Sequence, residues 1–129
     1  MNSFQIDLSF HAFVSEYKAA LRKFPSFKKD LVATLEQVEK DPRVGDQMQR
    51  VGENVFKTRI GIKGQIGKSG GYRLIYHVDW ERKVVTPIAL YFKPETAKLP
   101  DNEVAARFNR LFEAIQAAKQ PTPPGSLTN

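Results

Sequence analysis

The spacing of hydrophobic residues changes twice along the chain and divides it into helical and extended segments. Residues 4–8 alternate apolar with polar side chains, as a short strand does. Apolar residues from 10 to 24 then recur every three or four positions, which predicts a helix that stops at Pro25. A second helical stripe starts at Ser26 and ends before Pro42. The N-terminal third is therefore predicted to be a strand followed by two helices.

Residues 54–93 return to a spacing of two, in three runs separated by turn signals. A glycine-rich segment at 61–71 separates the first run from the second, and residues 79–82 separate the second from the third. Three consecutive runs with short connections predict an antiparallel meander. Pro87 has no N–H to donate, so the last run is predicted to be bulged or at an edge there. Residues 43–53 show neither period and are predicted to be an irregular connection.

The last periodic segment begins at the start signal Pro100-Asp101 and carries a helical stripe as far as Ile115. The order β-α-α-β-β-β-α predicts an α+β domain, with the helices packed on one face of a small, mainly antiparallel sheet. We assign residues 1–118 to this single domain. Residues 119–129 are rich in proline and are predicted to be a disordered tail.

Composition removes several classes of function. The 129 residues include no cysteine, which excludes a disulfide scaffold, a thiolate metal site and a cysteine nucleophile. His11 and His77 are the only histidines, so a histidine-rich metal site is not expected. No apolar run approaches the ~20 residues of a membrane span, and the N-terminus lacks the basic segment of a signal peptide. We expect a cytoplasmic protein that uses no metal or other cofactor.

Charge singles out the middle of the chain. Residues 43–93 hold ten basic and four acidic side chains, and this difference of six equals the whole net charge of +6. Alternate residues of a strand share a face, so the meander should turn one set of side chains towards the helices and the other outwards. An outward face rich in long basic side chains suits a phosphate backbone. That face is predicted to carry Lys57, Arg59, Arg73, His77, Tyr91 and Lys93, with Lys63 and Lys68 on the glycine-rich connection beside it.

Three stretches of the meander resemble the signature of a known family. They are FKTRI at 56–60, GKSGGYRLIY at 67–76 and LYFK at 90–93. They resemble the RelE/ParE superfamily of toxins from type II toxin–antitoxin systems, in its HigB-like branch, over residues 4–116. The resemblance implies a RelE-like fold and a ribosome-dependent endoribonuclease that cuts messenger RNA and so inhibits translation. It also implies a cognate antitoxin, the ribosome and mRNA as partners, and no small-molecule cofactor.

The resemblance also assigns roles to residues. Lys57 and Arg59 match paired basic positions on the first meander strand, and Arg73 matches the arginine that follows the glycines. Lys68 and Lys93 match further basic positions, whereas Pro94 stands where some members carry another arginine. Because Lys63 and Lys68 lie beside the basic face and His77 lies on it, we also predict that these three residues bind RNA.

A metal-independent mechanism can be written on these residues. Lys57 would take the proton of the attacking 2′-hydroxyl, because the charges of Arg59 and Arg73 favour its neutral form. Arg73 would stabilise the phosphorane by a bidentate contact. Tyr91 or Lys93 would donate a proton to the leaving 5′ oxygen.

Two other functions remain open at this stage. One is a ParE-like inhibitor of DNA gyrase, which shares the fold and performs no chemistry. The other is a non-catalytic RNA-binding module, which would bind RNA in a salt-dependent way without cutting it. Degradation of messages on induction would separate the endoribonuclease from both.

Overall fold

The computed structural model describes residues 3–62, 71–96 and 98–119, and it contains the predicted elements in the predicted order. The helices are α1 (His11–Lys23), α2 (Phe27–Lys40) and α3 (Asp101–Lys119). The strands are β1 (Gln5–Ile6), β2 (Asp46–Gln47), β3 (Val55–Ile60), β4 (Tyr72–Asp79) and β5 (Val84–Phe92). The α+β class is confirmed. Of the tail predicted at 119–129, Lys119 is the last residue of α3, and residues 120–129 lie outside the described residues.

The strands form a single sheet in the order β1-β5-β4-β3-β2. β1 runs parallel to β5, and the other neighbours are antiparallel, which confirms the meander. Tyr76 pairs with Pro87 while Ile75 pairs with Ala89, so Ile88 is an extra residue on β5. The bulge predicted at Pro87 is therefore present, and it turns Ile88 away from the face that strict alternation would give it.

One face of the sheet carries the main hydrophobic core. α1 and α2 cover this face with Phe13, Leu31 and Val38, all of which are buried. Burial of each large apolar side chain stabilises the fold by roughly 1.5–3 kcal/mol. Alternate residues of the strands contribute to this core, and Ile62 follows β3: Phe56, Ile60, Ile62, Leu74, Tyr76, Val78, Leu90 and Phe92.

The third helix lies on the opposite face, so the prediction that the helices pack on one face is wrong. Val104 and Leu111 of α3 pack in a second buried cluster, against the other side of the strands. The physical reason is that this side is also apolar near its centre. Its strand members are Val55, Ile75, Ile88, Ala89 and Tyr91. A sheet that is apolar on both faces must be covered on both.

A buried arginine fastens α3 to the rest of the domain. Arg107 is 8% exposed and donates to both carboxylate oxygens of Glu16 on α1, at 2.8 and 3.0 Å. It also donates to Glu103 Oε2 at 2.9 Å and to the carbonyl of Ile88 at 2.9 Å. Glu16 in turn accepts from the backbone N–H of Leu90 at 3.0 Å. Burial opposes the charge of Arg107, but its hydrogen bonds to the two carboxylates outweigh burial and raise its pKa.

No helix within the described ranges combines the length and the hydropathy needed to cross a bilayer.

We predict that Arg107→Met will destabilise the domain. The substitution removes the side-chain donor of the Ile88 carbonyl and leaves the Glu16 carboxylate with only the Leu90 N–H, at a cost of roughly 2 kcal/mol after allowance for the partial exposure of Glu16. Urea unfolding of the purified chain measures the change. Arg110→Met, at an exposed position of the same helix, is the matched control and should change stability by less than about 0.5 kcal/mol. Equal effects of the two substitutions would contradict the role assigned to Arg107.

Candidate functional site

Three of the predicted basic residues meet at one corner of the second sheet face. Arg59 and Arg73 are direct cross-strand partners, and Lys57 lies two residues before Arg59 on β3. Directly opposite residues point to the same face with Cβ atoms about 4.5–5.5 Å apart, so the three cations project together. They line an open pocket of about 480 Å³, which we call the cationic pocket. Its described lining residues are Val44, Gly45, Asp46, Lys57, Thr58, Arg59 and Arg73.

The cationic pocket holds like charges close together. Partial burial lowers the pKa of Arg73, the charge of neighbouring Arg59 lowers it further, and Tyr91 acts in the opposite direction. Arginine nevertheless remains charged in proteins. An anion bound between Arg59 and Arg73 would relieve their mutual repulsion, so a phosphate-like group is a chemically suitable ligand for the cationic pocket.

Tyr91 and Lys93, also predicted to be catalytic, are not among the described residues that line the cationic pocket. Tyr91 is the cross-strand partner of Arg73 on β5 and is 7% exposed. Burial raises the pKa of the Tyr91 phenol, against the opposing influences of Arg73 and a backbone hydrogen bond from Leu99. Lys93 follows β5, is half-buried, and its backbone N–H donates to the carbonyl of Gly71 at 3.0 Å. Tyr91 thus adjoins Arg73 in the sheet, and Lys93 lies beyond the end of the strand.

His77 is not on the open part of the face, so its predicted exposure is wrong. It is 6% exposed because α3 covers it, and the ring of Phe108 lies 5.3 Å from its own. Within the described part of the chain, its buried Nδ1 has no hydrogen-bond partner. Burial lowers the pKa of His77, and Asp79 partly opposes that effect. A histidine in this position does not reach a ligand in the cationic pocket. Lys63 and Lys68, also predicted to bind RNA, lie outside the described residues.

The wall of the cationic pocket comes from the segment that the sequence indicated to be irregular. It contains a 3₁₀ turn at Pro42–Val44, followed by β2. The hydroxyl of buried Tyr76 donates to the carbonyl of Pro42 at 2.7 Å and accepts from the N–H of Gly45 at 3.1 Å. A Cβ at Gly45 would lie 2.6 Å from that hydroxyl and 2.9 Å from the carbonyl of Lys57, so only glycine fits. A two-residue strand has no periodicity, which is why sequence reasoning missed this wall.

The chemistry available at the cationic pocket is that of fixed positive charge. Arginine side chains can hold a phosphate by two parallel hydrogen bonds and can stabilise charge that develops on it. Among residues 3–62, 71–96 and 98–119, no group of three histidine, aspartate or glutamate side chains is placed to hold a metal ion.

The comparison with solved structures identifies the fold. No protein-family model matches the chain, and no curated protein sequence matches it. The chain is similar to the structure of a doubly substituted Escherichia coli toxin RelE in the free state, with a TM-score of 0.52 and 23% sequence identity. The similarity covers 74% of this chain and 90% of that one. The chain therefore has a RelE-like fold, in agreement with the sequence-based expectation for the fold.

We predict that His77 makes the stability of the fold depend on pH. Its folded-state pKa is lowered, so the unfolded chain binds a proton that the folded chain resists, and the free energy of unfolding falls as pH drops through about 6.5. Denaturant unfolding at a series of pH values measures this slope. In His77→Leu the slope near pH 6.5 should become shallower, whereas in His11→Leu, at an exposed position, it should persist. An unchanged slope in His77→Leu would contradict the prediction.

Proposed function

We propose that this chain is the toxin of a type II toxin–antitoxin system, in the HigB-like branch, and inhibits translation by cutting messenger RNA on the ribosome. The observation that carries the proposal is the convergence of Lys57, Arg59 and Arg73 in an open pocket on a RelE-like fold. The solved structure of similar fold is itself named a toxin. The sequence signature at 56–60, 67–76 and 90–93 supports the same assignment.

The first step is binding of the message by its backbone. Lys57, Arg59 and Arg73 neutralise phosphates of a single strand, and the counterions released make the affinity depend on salt. In this proposal the guanidinium of Arg73 holds the scissile phosphate by two hydrogen bonds, and its cross-strand pairing with Arg59 supports that role. Binding of an anion also relieves the repulsion between the two arginines.

The second step is an internal transfer at phosphorus. The 2′ oxygen of the nucleotide on the 5′ side attacks the adjacent phosphorus, and a 2′ O–P bond forms as the P–O5′ bond breaks. The products are a 2′,3′-cyclic phosphate and a free 5′-hydroxyl, with no oxidation or reduction. The phosphorane carries extra negative charge, which Arg59 and Arg73 stabilise because they are fixed before the reaction begins.

Two proton transfers complete the reaction. Lys57 takes the proton of the attacking 2′-hydroxyl, and the leaving 5′ oxygen receives one from Tyr91 or Lys93. Burial raises the pKa of the Tyr91 phenol, and the pairing of β4 with β5 sets Tyr91 beside Arg73. Lys93 is the more exposed of the two candidates.

The proposed partners follow from the charge of the site. The ribosome presents the message to the cationic pocket. A cognate antitoxin neutralises the pocket and so inhibits the toxin. A cluster of cations is best neutralised by a partner with a complementary acidic or wrapping segment.

We predict that Arg73→Ala will abolish cleavage and growth arrest without unfolding the chain. Loss of one preorganised donor to the phosphorane should reduce cleavage by about 10²-fold or more. Primer extension on bulk messages after induction in a bacterial host measures cleavage, and circular dichroism of the purified chain checks the fold. Arg82→Ala removes the same charge from the exposed β4–β5 turn and should cleave like the wild type.

Other outcomes of this experiment would favour the competing functions. Cleavage by Arg73→Ala at the wild-type rate would overturn the assigned site. Double-strand breaks in DNA with intact messages would indicate a gyrase inhibitor. Salt-dependent binding of RNA by the wild type with no cleavage on ribosomes would indicate a binding module.

A further inference from the structure

An acidic side chain lies in the wall of the cationic pocket. Asp46 on β2 is the direct cross-strand partner of Lys57, so both side chains point to the same face. Asp46 is exposed and lines the pocket together with Lys57, Arg59 and Arg73. In the described part of the chain, no ion pair within 4 Å involves Asp46 or Lys57. The carboxylate is therefore available to a ligand in the same pocket as the cations.

The hydrophobic core fixes the backbone that carries Asp46. The hydroxyl of Tyr76, which is fully buried, bonds the carbonyl of Pro42 and the N–H of Gly45. Gly45 also lies too close to the backbone of Lys57 to admit a side chain. On its other side, Met48 N–H donates to the carbonyl of Val55 at 2.7 Å. Asp46 is thus anchored on both sides and does not lie on a free loop.

A carboxylate in this position repels phosphate and can only accept hydrogen bonds. A neutral hydrogen-bond donor is therefore the part of a bound RNA strand that suits Asp46. Asp46 lies outward of Lys57 at the sheet edge, on the side away from Ile75 and α3. Arg73 lies on β4, on the inner side of β3, so the Asp46 carboxylate is offset from a phosphate bound at Arg73, by the width of the intervening strand β3.

We propose that Asp46 is a specificity-determining residue, which selects an amine-bearing nucleobase at the position beside Lys57. Carboxylates accept hydrogen bonds from exocyclic base amines, and unpaired bases expose those groups on their Watson–Crick edges. Guanine satisfies Asp46 best, because its N1–H and N2–H groups form two adjacent donors for the two carboxylate oxygens. Adenine and cytosine offer one amine each. Uracil is disfavoured, because two carbonyl oxygens flank its single N–H and repel the carboxylate. This inference rests on the proposed function, since it names the base that the same pocket recognises.

The test is a binding experiment that needs no cleavage. Short uridine oligonucleotides with one central guanine, adenine, cytosine or uridine are titrated into the full chain at low ionic strength, and fluorescence anisotropy gives the affinities. The wild type should bind the guanine oligonucleotide about tenfold more tightly than the all-uridine one. Asp46→Asn should lose most of that ratio and bind the all-uridine oligonucleotide at least as well as the wild type, because a repulsive charge is gone. Glu53→Gln is the control: it removes an acidic charge from the connection that follows β2, outside the pocket, and should keep the wild-type ratio.

A second variant separates position from charge. Tyr76→Phe keeps the Asp46 carboxylate but removes the hydroxyl that bonds Pro42 and Gly45, so the ratio of guanine to all-uridine affinities should fall. Tyr17→Phe on α1 is the control and should leave this ratio unchanged. The ratio compares ligands on one protein, so a lower yield of folded protein does not alter it. Equal affinity of the wild type for all four oligonucleotides, or an unchanged ratio in Asp46→Asn, would overturn the role of Asp46. Base selection by the wild type without cleavage on ribosomes would instead contradict the proposed nuclease activity and leave the role of Asp46 supported.

Discussion

The structure depends on how the second face of the sheet is divided between apolar and cationic residues. Ile75 and Ala89 on this face need cover, and α3 supplies it. Arg59 and Arg73, one residue pair further along the strands, carry charges that need access to solvent, and they line an open pocket. The buried contact of Arg107 with Glu16 fixes α3 over the apolar part. The position of α3 therefore decides which charged residues can act.

This division also explains why the cations can stay close together. Isolated arginine side chains would separate to reduce their repulsion, but the register of β3 and β4 fixes Arg59 opposite Arg73. The packing of the other face supplies the stability that offsets this repulsion, because its apolar residues pack against α1 and α2. A ligand phosphate then gains from charges that are already in place, which is the condition for electrostatic stabilisation of a transition state.

Much of the fold could be predicted from the sequence, because period and turn signals are local properties. Alternation placed Lys57, Arg59 and Arg73 on one face, and Pro87 marked the bulge. The side on which α3 packs could not be predicted from its own stripe, because an apolar stripe does not say which face of a sheet it covers. Ile75, an apolar residue between Arg73 and His77, was the available signal that part of the second face is buried.

The site was less predictable where it depends on long-range contacts. Asp46 reaches the pocket through a two-residue strand, and Tyr76 meets Pro42 across 34 positions of sequence. No local pattern encodes either contact. Arg107 did carry a signal, since it is a charged residue three positions after Val104 on the apolar stripe of α3.

The most direct test of the cationic pocket is a nuclear magnetic resonance titration of the isotope-labelled full chain with a short single-stranded RNA at low salt. The side-chain N–H signals of Arg59 and Arg73 and the backbone signals of β3 and β4 around them should shift most. The signals of α1 and α2 on the opposite face should stay in place. Shifts confined to the α1–α2 face, or none in the pocket at saturating RNA, would contradict the assignment of this corner of the sheet as the RNA site.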